Sequence, residues 1–97
     1  MTLLEIVQRI SDFRKDIEDG VYTIYAPRPW QPSSPAIVIP QPEDGRLPDE
    51  AKHLGYQYFL EVFIATDMLQ AWDASLGPEP SLEERCRRLI SYAENDA

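Results

Sequence analysis

Residues 27–35 read Pro-Arg-Pro-Trp-Gln-Pro-Ser-Ser-Pro, and no regular element can run through them. Proline fixes φ and removes a backbone donor, which bars it from helix interiors and from the middle of a sheet. The runs on either side suit strands. Residues 21–26 (VYTIYA) are β-branched and aromatic, and residues 36–39 (AIVI) form a short apolar run closed by Pro40 and Pro42. The pattern predicts two antiparallel strands joined by a long, stiff loop. In a chain of 97 residues such a loop is more often functional or disordered than incidental.

The rest of the chain punctuates itself just as clearly. Leu3, Ile6, Val7, Ile10, Phe13 and Ile17 recur at three- and four-residue steps, which predicts an amphipathic helix capped by Thr2 and stopped at Asp19-Gly20. Residues 47–54 suit a short helix, with Pro48 in its first turn and Gly55 as its stop. Residues 56–65 (YQYFLEVFIA) carry the strongest strand pattern. Tyr56, Tyr58, Leu60, Val62 and Ile64 fall on one face, and Gln57, Phe59, Glu61, Phe63 and Ala65 on the other. Apolar residues on both faces predict a central strand, or one whose second face is covered.

Asp67, with Gln70 three residues on, is expected to open a second long helix lined by Met68, Leu69, Trp72 and Leu76 and ended by Gly77-Pro78. Ser81 with Glu84 predicts the cap of a third, whose stripe is Leu82, Cys86, Leu89, Ile90 and Ala93. The expected order is α-β-β-(short α)-β-α-α. This is a single α+β domain over residues 1–97, a three-stranded antiparallel sheet with helices packed on one face.

Composition narrows the function classes. The formal charge is −8, from 9 basic and 17 acidic residues. That balance repels nucleic acid and anionic membrane and favours basic protein partners, although it also serves plain solubility. Its placement is less even than its sum. No lysine or arginine lies between Lys52 and Arg85, while Glu61, Asp67, Asp73, Glu79, Glu83 and Glu84 all do. No run has the roughly 18 apolar residues of a membrane span. An acidic start (Met1-Thr2-Leu3-Leu4-Glu5) and a lone cysteine predict a cytoplasmic protein.

Reactive chemistry finds little support. Glu50 and His53 match a metal-ligand spacing, but the chain has a single histidine, so the second pair that such a site needs does not exist and no metal or cofactor is expected. Cys86 falls in an apolar stripe and reads as a core thiol. Glu61, mid-strand among apolar neighbours, is either a carboxylate with a raised pKa or a residue on the solvent side of the sheet. The chain is therefore not expected to be an enzyme.

Three features point to binding instead. Asp73, Glu79 and Glu83 have no evident structural task and, with Glu61, would present an acidic face to a basic partner. Trp30 on its stiff loop is either an interface anchor or a residue folded back onto the core. Phe59 and Phe63, on the second face of the long strand, need cover that a second copy of the chain could supply, which makes a homodimer one alternative. Another is a nucleic-acid mimic whose carboxylates imitate phosphates.

The C-terminal stretch, from Leu54-Gly-Tyr-Gln-Tyr-Phe-Leu-Glu-Val-Phe-Ile through Ser81-Leu-Glu-Glu to Ser91-Tyr-Ala-Glu-Asn-Asp-Ala97, resembles small acidic bacterial proteins of unassigned function. Some of these are similar to immunity proteins, which neutralise a neighbouring toxin. The resemblance implies binding and inhibition of a basic toxin domain, and it assigns no residue a role.

Overall fold

A five-residue strand holds the sheet together. β1 (Tyr22–Ala26) lies between β2 (Ile37–Pro40) and β3 (Gln57–Glu61) and runs antiparallel to both. This computed structural model describes residues 1–14, 22–42, 44, 46–75 and 81–96, and among these residues four α-helices accompany the sheet. They are α1 (Leu3–Gln8), continued by a 3-10 segment (Ile10–Arg14), then α2 (Asp49–Leu54), α3 (Val62–Ser75) and α4 (Leu82–Asp96). The α+β class and the element order are those expected from the sequence.

Of the two readings of residues 56–65, the central strand is overturned by the strand order. β1 takes that position, and its residues Thr23, Ile24, Tyr25 and Ala26 are all buried. β3 is an edge strand in which strict alternation fails. Ile24 pairs with Leu60 while Tyr25 pairs with Tyr58, so Phe59 is the extra residue of a β-bulge. The bulge lets two successive residues, Phe59 and Leu60, both enter the core, whereas Tyr58 stays exposed.

β3 also ends early. At Val62 the chain turns helical, and Val62, Ala65, Thr66 and Leu69 are the buried residues that follow. Their spacing is that of one helix face, which an alternating run of apolar residues imitates over a few positions. The Thr66 hydroxyl donates to the Val62 carbonyl at 2.9 Å inside this first turn. The expected helix start at Asp67 is thus corrected: Asp67 is an exposed residue within α3, and no cap is needed there. The expected stop at Gly77-Pro78 lies outside the described residues.

At the other end of the chain the capping logic holds. Thr2 Oγ1 accepts from the Glu5 backbone N–H at 3.2 Å, and Glu5 Oε1 accepts from the Thr2 N–H at 3.1 Å. The bond from the Thr2 N–H, with that from the Thr2 hydroxyl, holds the Glu5 carboxyl below the usual carboxylate range. The α-helical hydrogen bonding ends at Gln8, and the chain tightens to 3-10 geometry over Ile10–Arg14, short of the long helix the periodicity predicts. The expected stop at Asp19-Gly20 is outside the described residues.

The first N–H groups of a helix have no partner within it. In α1 the proline-rich loop supplies them. Leu3 N–H donates to the Ser34 carbonyl at 2.9 Å and Leu4 N–H to the Pro32 carbonyl at 3.0 Å, while Ala36 N–H donates to the Met1 carbonyl at 2.7 Å. Proline lacks a donor but keeps its acceptor, so a proline-rich segment is well suited to receive a helix terminus. Within the loop, Ser34 and Gln31 bond reciprocally: Gln31 N–H to the Ser34 hydroxyl and Ser34 N–H to the Gln31 carbonyl, both at 2.9 Å.

Trp30 closes this arrangement. Only 6% of it is exposed; its indole N–H donates to the Ala26 carbonyl at 3.1 Å, and its ring meets Phe59 edge-on, with centroids 4.9 Å apart. One core cluster unites Trp30, Ile24, Ala26, Phe59 and Leu60 with Leu3 and Ile6 of α1, Ala65 and Leu69 of α3, and Cys86, Leu89 and Ala93 of α4. Tyr25, on the opposite face of β1, and Ala51 of α2 are buried apart from that cluster.

Because Trp30 both fills the core and anchors the loop, Trp30→Ala should lower unfolding stability by about 3–5 kcal/mol, the range of large aromatic truncations. Phe63→Ser, at a side chain 48% exposed, should change it by no more than about 0.5 kcal/mol. Urea denaturation of both variants measures the contrast.

Candidate functional site

The proline-rich loop and α4 face each other across an open cleft of about 480 Å³. Gln31, Pro32 and Ser33 form one wall. Glu83, Arg87, Ser91 and Glu94 form the other, and their three- and four-residue spacing puts them on one face of the helix. Trp30 and Ile90 supply the apolar lining. Past Trp30 and Glu94 a second hollow, of about 450 Å³, is bounded also by Arg28 and Pro29. The loop wall is held by the hydrogen bonds to α1, and the α4 wall by the buried stripe behind it.

Charge in the cleft is mixed. Arg87 pairs with Glu83 at 3.2 Å, and the next pair along α4, Arg88 with Glu84, spans 3.3 Å. In both the acid is N-terminal to the base at i,i+4, the favourable orientation, although exposed pairs of this kind are worth only about 0.3–0.5 kcal/mol. Glu94 makes no ion pair among the described residues. Arg28 lies with its guanidinium carbon 4.4 Å from the centre of the Trp30 ring.

Of the residues singled out from the sequence, Trp30 and Glu83 meet in this cleft. Trp30 is folded back onto the core, so the exposed-anchor alternative is corrected: the loop's bonds to α1 turn the indole inward. Glu83 is not idle, since it pairs with Arg87. Glu61 lies elsewhere, at the end of β3 opposite Thr23. It is half-buried, and its Oε2 finds no hydrogen-bond partner among the described residues. Burial pushes the nearby Tyr25 hydroxyl's pKa up, and the Glu61 charge adds to the rise; Thr23 partly offsets it, although the Tyr25 hydroxyl meets no partner in hydrogen-bonding geometry. The Asp73 side chain and Glu79 lie outside the described residues.

Phe59 and Phe63 do not share a face. Phe59 is 2% exposed against Trp30, while Phe63 is 48% exposed on the first turn of α3. A dimer face built from both is therefore corrected, because the strand that would have aligned them stops at Glu61. Arg28, Arg87 and Glu94, which complete the cleft, were not singled out from the sequence. The run Glu83, Arg87, Ser91, Glu94 on the polar face of a helix was the available signal, but only the packing of the loop against α4 gives it a partner wall.

Reactive groups stand as follows. Cys86 is fully buried, and its thiol is pushed up to about 11, chiefly by burial, with the Glu83 charge adding and the Arg87 charge partly offsetting. His53 is exposed on α2 beside the equally exposed Asp49 and Glu50. Among the described residues no three His, Cys, Asp or Glu side chains are grouped to hold a metal ion, and no helix is long and apolar enough to cross a membrane. Comparison with protein-family models, curated proteins and solved structures gives no match.

Folding favours the neutral Cys86 thiol, so its contribution to stability is intact below about pH 9 and is lost as pH rises towards about 11. Ellman's reagent at pH 8 should leave the native protein unmodified and titrate one thiol in about 8 M urea. Rapid labelling of the native protein would mean that Cys86 is accessible.

Proposed function

We propose that this chain is a non-catalytic, acidic protein-binding module, and that its concrete form is an immunity protein that neutralises a basic bacterial toxin domain in the cytoplasm. The observation that supports this reading best is the cleft between the proline-rich loop and α4. Its loop wall is immobilised before any partner arrives, by backbone bonds to Met1, Leu3 and Leu4 and by the Trp30 anchor. A wall already ordered costs little further entropy on binding. The net charge of −8 steers a basic partner towards it. A lone buried thiol suits a reducing compartment.

The nucleic-acid mimic suits this geometry less well, because it calls for rows of free carboxylates and Glu83 and Glu84 are each matched by an arginine one turn on. A homodimer would have to use Phe63 without Phe59.

The test is calorimetric titration of the chain with the toxin domain encoded by the adjacent reading frame. Affinity should fall at least about tenfold between 50 mM and 500 mM salt, as screening removes the steering and contact charges. Absence of binding, or tight binding that salt leaves unchanged, would contradict the reading.

A further inference from the structure

Trp30 is fixed on two sides by protein. Its N–H is held by Ala26 and its ring stands perpendicular to that of Phe59, with centroids 4.9 Å apart. An arginine of the same loop sits over the ring: the Arg28 guanidinium carbon is 4.4 Å from its centre. Arg28 is itself exposed, and a cation–π contact at an exposed site is weak and readily exchanged. Glu94 lines the same hollow, yet its carboxylate forms no ion pair with Arg28 or with any other described residue. The hollow thus offers two complementary features to a cation, an aromatic face and a carboxylate, and the resident arginine engages only the first.

From this we infer that the hollow between Trp30 and Glu94 is a seat for an arginine side chain of a basic partner protein, filled from within by Arg28 until that partner arrives. An incoming guanidinium can stack on Trp30 and direct its planar donors at the Glu94 carboxylate, which is why arginine fits better than lysine. Trp30 does not have to move to receive it, since Ala26 and Phe59 hold the ring whether or not Arg28 is in place. The inference deepens the binding role proposed above by naming the group the cleft recognises, and it rests on that role. Overall acidity explains attraction to basic proteins in general; the seat explains why one arginine would be chosen.

The probes are two blocked tripeptides, acetyl-Gly-Arg-Gly-amide and its lysine counterpart, followed through the Trp30 indole N–H signal of isotope-labelled protein. The arginine peptide should shift that signal in the wild-type chain and bind about two- to fivefold tighter to Arg28→Ala, which vacates the seat. Adding Glu94→Gln to Arg28→Ala should lose most of that affinity, and the lysine peptide should bind more weakly throughout. Both substituted residues are exposed, and retention of the Trp30–Phe59 contact, seen in the indole shift without peptide, verifies the fold of each variant. Equal binding to wild type and Arg28→Ala, indifference to Glu94→Gln, or equal binding of the two peptides would overturn the seat. Salt-sensitive binding of the whole toxin domain would survive such a result, so the two proposals fail separately.

Discussion

The bond from the Trp30 indole N–H to the Ala26 carbonyl reaches back to the last residue of the central strand, across a connector that has no regular structure of its own. That bond and the edge contact with Phe59 fold the connector over one end of the sheet. Once Trp30 is in place, Pro32 and Ser34 lie where the first N–H groups of α1 need acceptors. Helix, loop and sheet are locked together through these few contacts. The cleft is a consequence, because the loop can form a wall against α4 only if it cannot swing away.

The β-bulge at Phe59 is the second half of the same device. An unbroken alternating strand would send Phe59 to the face opposite Leu60 and away from Trp30. With the bulge, both residues enter the core and the ring of Phe59 is there to meet the indole. Phe59 and Trp30 therefore support each other, and the edge strand owes its buried residues to an irregularity rather than to its pattern.

Much of this was legible in the residues. Thr2 as a cap, Ser81 with Glu84, and the stripe from Leu82 to Ala93 all mark their elements by local rules, and the structure follows them. The failures fall where a local pattern has two solutions. Residues 56–65 satisfy a strand period throughout, yet Val62, Ala65, Thr66 and Leu69 satisfy a helix period equally, and packing against the sheet selects the second. The candidate site was legible only in part. Glu83 was visible as an acid and Trp30 as an aromatic on a stiff loop, but the inward turn of Trp30 and the pairing of Glu83 with Arg87 depend on contacts between distant segments. Arg28 and Glu94 become notable only once the fold sets them around one indole.

The central physical claim is that the proline-rich loop is rigid because α1 and Trp30 hold it. Native-state hydrogen exchange at the Leu3, Leu4 and Ala36 amides and at the Trp30 indole measures this directly. If the loop is pinned, all four should exchange as slowly as the amides of β1, through the same global opening. Exchange of these four at the rates of an open loop, while β1 stays protected, would contradict it.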